Sequence, residues 1–113
     1  MDKQDVISSL AALAQETRLD VFRALVQAGP EGLPAGEIGT LLDVPSATLS
    51  FHLKELKSSG LIQCERQGTS RIYRPNLSAV NDLVAFLTAN CCRGVDGAGS
   101  VDEGCDLGGG FDC

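Results

Sequence analysis

Four of the five cysteines in this 113-residue chain, Cys91, Cys92, Cys105 and Cys113, lie in its last 23 residues; the fifth is Cys64. An odd, clustered set is not the pattern of a disulfide-stapled secreted domain, and in a reducing compartment clustered thiols point to metal binding or redox chemistry. Adjacent side chains on a regular helix diverge by about 100°, so Cys91 and Cys92 can face one ion only where a helix ends. A third thiol from farther along, Cys105 or Cys113, completes a three-thiolate site. Cys105 closes the shorter loop, and loop-closure entropy grows with the logarithm of loop length, so Cys105 is the expected third ligand. Soft thiolates select Cu(I) and other thiophilic ions. A tetrahedral zinc site has the right number of ligands, but C-C-x12-C-x7-C is unlike the close cysteine pairs of zinc modules. Thiol oxidation, for example to a Cys92–Cys105 disulfide, and surface thiols without a role are the other readings. Cys64 alternates with Ile62 on a strand-like run and reads as a small apolar residue.

The second stretch able to do chemistry is Ser46–Gly60, SATLSFHLKELKSSG. Leu49, Leu53 and Leu56 recur at helical spacing and form one apolar stripe. Ser46 after Pro45 reads as an N-cap and Gly60 as a stop. The opposite face carries Ala47, Thr48, Phe51, Lys54, Glu55 and Ser58; it is small and polar near its start, with Lys54 and Lys57 farther on. Small, hydrogen-bonding residues at the start of a short helix suit the edges of bases in the DNA major groove. Phe51 either touches a thymine methyl or folds back on the domain. His52 lies at the inner edge of the helix, where a structural hydrogen bond or a phosphate contact fits better than catalysis. With one histidine and no partnered nucleophile there is no catalytic constellation, and the chain is not expected to be an enzyme.

These residues need elements to hold them. Residues 3–14 and 16–28 read as amphipathic helices, with Val6, Leu10 and Leu13 and then Leu19, Phe22, Leu25 and Val26 inward. Breakers at 29–34 lead to a third short helix over 35–42, with Ile38, Leu41 and Leu42 inward. Asp43-Val44-Pro45 then turns into the helix at Ser46. Two short helices joined by a tight turn make a helix-turn-helix unit. After Gly60 the period shortens: 61–66 and 71–74 are strand-like and are joined by a glycine-containing loop, Gln67–Ser70. This basic hairpin, with Arg66 and Arg71 near its tip, is a wing beside the recognition helix. Residues 78–90 form a last amphipathic helix on Val80, Leu83, Val84 and Leu87. The first and last helices offer more apolar surface than one small domain buries, so a homodimer through both is expected. The fold class is therefore mainly α with a small β-hairpin: a winged helix-turn-helix over residues 1–90, followed by a Gly-rich, acidic, Cys-containing tail over 91–113 that is expected to be disordered or adaptable without a ligand.

The net charge of −6 opposes nucleic-acid binding only as a total. Residues 46–76 carry +3 and residues 91–113 carry −4, and the local field governs phosphate contact. No apolar run spans a membrane and no secretory leader is visible, so a cytoplasmic protein without a membrane partner is expected.

In this layout ETRLDVFRAL, SATLSFHLKELKSSGLI and RQGTSRIYR together resemble the arsenic-responsive, or ArsR, family of winged-helix repressors over about residues 5–90. The resemblance implies a dimeric repressor that leaves its double-stranded operator DNA when a metal or metalloid binds. Two departures are visible. The Cys-Val-Cys pattern of many arsenic sensors, at the start of the third helix, is absent: that region reads Leu33-Pro34-Ala35-Gly36-Glu37. The His and Asp ligands of zinc-type relatives are also missing from the last helix, which has Asp82 and no histidine. Relatives with a Cys pair after the last helix are known, and likeness to them implies that the thiols there form the site. The resemblance implies arsenite, As(III), as inducer, with antimonite, Sb(III), as an alternative and no organic cofactor. More than two available thiols favours the inorganic ion over methylarsenite. The expected DNA contacts are Ser46, Ala47, Thr48, Ser50, Phe51, His52, Lys54, Arg66 and Arg71, and the expected metalloid ligands are Cys91, Cys92 and Cys105. A redox-sensing repressor of the same fold and a thiophilic metal-handling protein are the alternatives.

Overall fold

The computed structural model describes residues 1–91. Helix α1 (Lys3–Leu13) starts on a reciprocal cap: the Asp5 amide donates to Asp2 Oδ1 at 2.9 Å and the Asp2 amide donates to Asp5 Oδ2 at 3.3 Å, satisfying two of the helix's orphan donors. Helix α2 (Glu16–Ala28) is capped by the Gln15 side chain. A single 3-10 turn, Gly29–Glu31, leads to a two-residue strand, β1 (Leu33–Pro34). Helices α3 (Ala35–Leu42) and α4 (Ser46–Ser58) follow, then strands β2 (Ile62–Gln67) and β3 (Ser70–Pro75), and last α5 (Leu77–Thr88). The strands form one antiparallel sheet in the order β1-β3-β2.

The core is where α2, α3 and α4 meet the base of the sheet. Leu25, Ile38, Leu56 and Leu61 are wholly buried there, with Val21, Phe22, Leu49, Leu53 and Ile62 around them. The predicted stripe of α4 is thus the inward one. Other helices depart from their periodicity. Leu41 on α3, Leu19 and Val26 on α2, and Val84 and Leu87 on α5 are all exposed, while Val21 and Ala24 are buried on α2. A small domain has one core, and an apolar residue reaches it only where another element covers its side of the helix.

Strand β1 is an element that the sequence does not signal, because two residues carry no alternation. It pairs Leu33 with Tyr73 and Pro34 with Ile72, turning the hairpin into a three-stranded sheet. Gly32 makes this approach possible. Its φ is +70°, and a Cβ there would lie 2.5 Å from the Tyr73 carbonyl oxygen, so any side chain would force β1 and β3 apart.

Between α3 and α4 the chain turns through Asp43, whose φ of 57° and ψ of 51° are left-handed, and the Val44 amide closes the turn on the Gly39 carbonyl at 3.0 Å. The N-cap of α4 is Pro45, with no capping side chain; Ser46 is already the first helical residue and not the cap. At the other end of the hairpin Asn76 joins three elements. Its amide donates to the Leu61 carbonyl at 2.8 Å, its Nδ2 donates to the Gly60 carbonyl at 2.9 Å, and its Oδ1 accepts from the Ala79 amide at the start of α5. The wing and the last helix are both pinned to the end of α4.

Candidate nucleic-acid interface

Helix α4 presents Ser46, Ala47, Thr48, Ser50, Phe51 and Lys54 to solvent while Leu49, His52, Leu53 and Leu56 are buried. Its first turn has neither an acidic residue nor a side-chain cap. The positive end of the helix dipole, with its unpaired amides, is therefore open to an anion. The wing closes beside it. Register pairs Arg66 with Arg71, one step inside the Gln67–Ser70 pair that flanks the two-residue turn. Gly68 takes a φ of +63° there, as a right-twisting two-residue hairpin requires at its first turn position. The strands run farther than the sequence suggests, so the turn is Gly68-Thr69 alone.

Between α4 and the wing lies a groove of about 280 Å³ lined by Ser50, Leu53, Lys54, Lys57, Arg71 and Tyr73. Residues on two elements well separated in sequence thus form one basic surface. Arg71, Arg66 and Lys54 are exposed. Arg74 is used differently: its Nε donates to the Pro30 carbonyl at 2.9 Å and its guanidinium pairs with Glu65, so it braces the wing against the turn after α2. On the inner side of the wing Cys64 faces Tyr73 across the ladder. Burial, and then the neighbouring Cys64 thiol, push the Tyr73 hydroxyl above its usual pKa. That places Cys64 in the half-buried packing expected from its alternation with Ile62.

His52 does not belong with the exposed set. Its side chain is only 8% exposed, and its Nδ1 lies 3.2 Å from Nη1 of Arg18, whose Nε donates to the Ala12 carbonyl at 2.7 Å. The structural hydrogen bond is realised, with the ring held on the α2 side of α4 rather than on its exposed face. Arg18, 34 residues away in sequence, is the partner that local patterning misses. It ties the end of α1 to the recognition helix. To accept from Arg18, Nδ1 must be unprotonated. Burial, and then the Arg18 charge, hold the imidazole pKa below 6.5, with Glu55 opposing weakly. The unfolded chain takes up this proton near 6.5 and the folded chain resists it. Stability from this contact is therefore complete above that pH and declines as pH falls from about 6.5 toward the lower folded-state value. Urea midpoints of the wild type should fall between pH 7.5 and pH 5.5 by more than those of His52→Gln. Equal declines would remove His52 as the titrating group.

Helix α5 ends at Thr88, and Asn90 takes a φ of +60°. Cys91 is exposed, and its amide donates to the Thr88 carbonyl at 2.9 Å. It sits past the helix end, as a two-cysteine site requires. Cys92, Cys105 and Cys113 lie outside the described residues. Among the described residues no group of three or more His, Cys, Asp or Glu is placed to hold an ion, and no helix is long and apolar enough to cross a membrane.

Residues 13–65 match a family model described as a helix-turn-helix domain. Over 80 residues the chain is 37% identical to the "Putative arsenical resistance operon repressor ArsR" of Halobacterium salinarum, covering 71% of this chain and 61% of that protein. The chain spans about three-fifths of the length of the curated relatives it matches. Among solved structures, an ArsR-like transcriptional regulator from Rhodococcus sp. RHA1 superposes with a TM-score of 0.67 at 27% identity, over 74% of this chain and 76% of that one. The homodimeric winged helix-turn-helix DNA-binding domain of Mb0332 from Mycobacterium bovis superposes with a TM-score of 0.63, also at 27% identity, over 75% and 77% of the two chains. These similar proteins are helix-turn-helix regulators, not enzymes.

Proposed function

We propose that this chain is a member of the ArsR family of winged helix-turn-helix regulators and acts as a homodimeric, operator-binding transcriptional repressor. The observation that carries the reading is the continuous basic groove in which Lys54 and Lys57 of α4 meet Arg71 of the wing. A helix that fits the major groove, flanked by a hairpin that reaches the backbone, is a duplex-binding arrangement. Ser46, Ala47, Thr48, Ser50 and Phe51 face the bases, and Lys54, Arg66 and Arg71 face phosphates. The homodimeric Mycobacterium bovis structure supports dimerisation, as do the exposed Ile7 and Leu10 on α1 and Val84, Phe86 and Leu87 on α5. Those two helices pack against each other in the protomer. Two-fold symmetry then calls for a roughly palindromic operator.

Release is proposed to follow binding of arsenite, or antimonite, by Cys91, Cys92 and Cys105. The support is the soft donor set, the position of Cys91 beyond the end of α5, and the arsenical-resistance name of the Halobacterium relative. Bridging by sulfur would tie the acidic segment that follows to the end of the dimerisation helix. An inducer acts only through different affinity for the two dimer states, and couplings of this kind weaken DNA binding by about fivefold or more. The test is titration of arsenite into the operator complex, followed by fluorescence anisotropy. The wild type should dissociate, whereas Cys91→Ser and Cys92→Ser should bind operator normally and stay bound. Release that survives both substitutions would remove this site. Release by peroxide under metal-free conditions, without a response to arsenite, would make the thiols a redox switch instead.

A further inference from the structure

Phe51 stands out among the residues that α4 turns to solvent. It is 55% exposed, although a ring of this size is ordinarily among the first side chains a small domain buries. Ala47, Phe51, Lys54 and Ser58 recur at i, i+4, i+7 and i+11, and all four are exposed. They form the ridge opposite the buried Leu49, Leu53 and Leu56. Phe51 is the one large apolar residue on that ridge, and helical side chains lean toward the N-terminus. The ring therefore projects over the turn that holds Ala47, which is too small to shield it. Phe51 does not fold back into the core; its ring meets His52 edge-on, with centroids 5.4 Å apart and planes at 64°. His52 is itself anchored by Arg18, so the aromatic neighbour that flanks Phe51 is fixed from behind.

The polar residues beside it cannot specify a base pair alone. Ser46, Thr48 and Ser50 carry hydroxyls, which both donate and accept and so pair with either kind of base edge. In the major groove the one apolar group that marks a base pair is the C5-methyl of thymine. Resting on the operator-binding reading above, we infer that Phe51 is a specificity-determining residue that reads a thymine methyl in each half-site. Lys54 on one side of it and the Arg71 side of the wing groove hold the flanking phosphates and set the depth at which the ring meets the base. The occupant of this apolar spot is thus a thymine edge of duplex DNA, with the basic groove supplying the charge complement.

The test begins with the full chain and a pool of random-sequence duplexes, from which the preferred site is selected. Each thymine of that site is then replaced singly by deoxyuridine, which removes the C5-methyl and leaves base pairing intact. For the wild type, one thymine in each half-site should show a loss of about fourfold on replacement, the affinity equivalent of burying one carbon. Phe51→Ala should bind the thymine and deoxyuridine sites equally, and Phe51→Leu, which keeps an apolar side chain, should retain discrimination. A selected site that tolerates deoxyuridine at every position would overturn this inference alone, as would a Phe51→Ala protein that still discriminates. Failure to select any site would overturn it together with the operator-binding reading.

Discussion

Replacing Leu56 with alanine is expected to destabilise the protein by about 3 kcal/mol, within the 2–5 kcal/mol range for emptying a fully buried leucine site. Leu56 is 0% exposed and sits among Leu25, Ile38, Leu53 and Leu61, where α4 crosses the bottom of the core. Its surroundings come from three helices and the sheet, so they cannot collapse onto the smaller side chain without moving the recognition helix. Domains of this size have a total stability of roughly 5–15 kcal/mol, so the loss is a large fraction of the whole. The measurement is urea unfolding at matched protomer concentration, because the proposed dimerisation would make apparent stability depend on concentration. Leu41→Ala is the paired control. Leu41 is 64% exposed on α3, and its loss should shift stability by less than about 0.5 kcal/mol. Equal effects at the two positions would mean that the core is not built around α4.

That pair also shows where the sequence is informative. Leu49, Leu53 and Leu56 and the apolar residues of α3 follow the same helical rule, and α4 obeys it fully because neighbours cover its whole inner side. On α3 only Ile38 is buried and Leu41 is not. Periodicity states that a helix has an apolar face, and tertiary packing decides how wide a face is covered. The helix order, the turn at Asp43-Val44-Pro45 and the basic hairpin are all legible, since each rests on local chemistry. Strand β1 is not, because Leu33 and Pro34 join the sheet only through the approach that Gly32 permits. Nor is the Arg18–His52 contact, because nothing local to either residue names the other. His52 reads in the sequence as either a structural hydrogen bond or a phosphate contact, and one further step around the helix turns its ring to the buried side, where Arg18 meets it. The wing arginines separate in the same way: Arg66 and Arg71 face outward, while Arg74 is drawn inward by Pro30 and Glu65.

The same geometry fixes what charge removal should do. Lys54→Ala with Arg71→Ala, made together, should lower the dependence of operator affinity on salt by about 1.8 in the slope of log K against log salt, at about 0.9 for each phosphate no longer neutralised. At 0.1 M salt each such phosphate corresponds to about eightfold and the pair to roughly 60-fold in affinity. Both side chains are exposed and line the groove between α4 and the wing, so their removal should leave the urea midpoint unchanged. The weakening should also be uniform: operator and unrelated duplex should bind less tightly by similar factors, because phosphate contacts carry no sequence information. Arg74→Ala should behave in the opposite way. Its guanidinium is spent on Glu65 and the Pro30 carbonyl, so the unfolding midpoint should fall while the salt slope holds. If Arg74→Ala lowered the slope and the Lys54/Arg71 pair did not, the duplex would lie against the base of the wing rather than along its groove with α4. The contrast between three basic residues on α4 and β3, two aimed at solvent and one folded back, thus separates a phosphate-binding surface from a merely basic one.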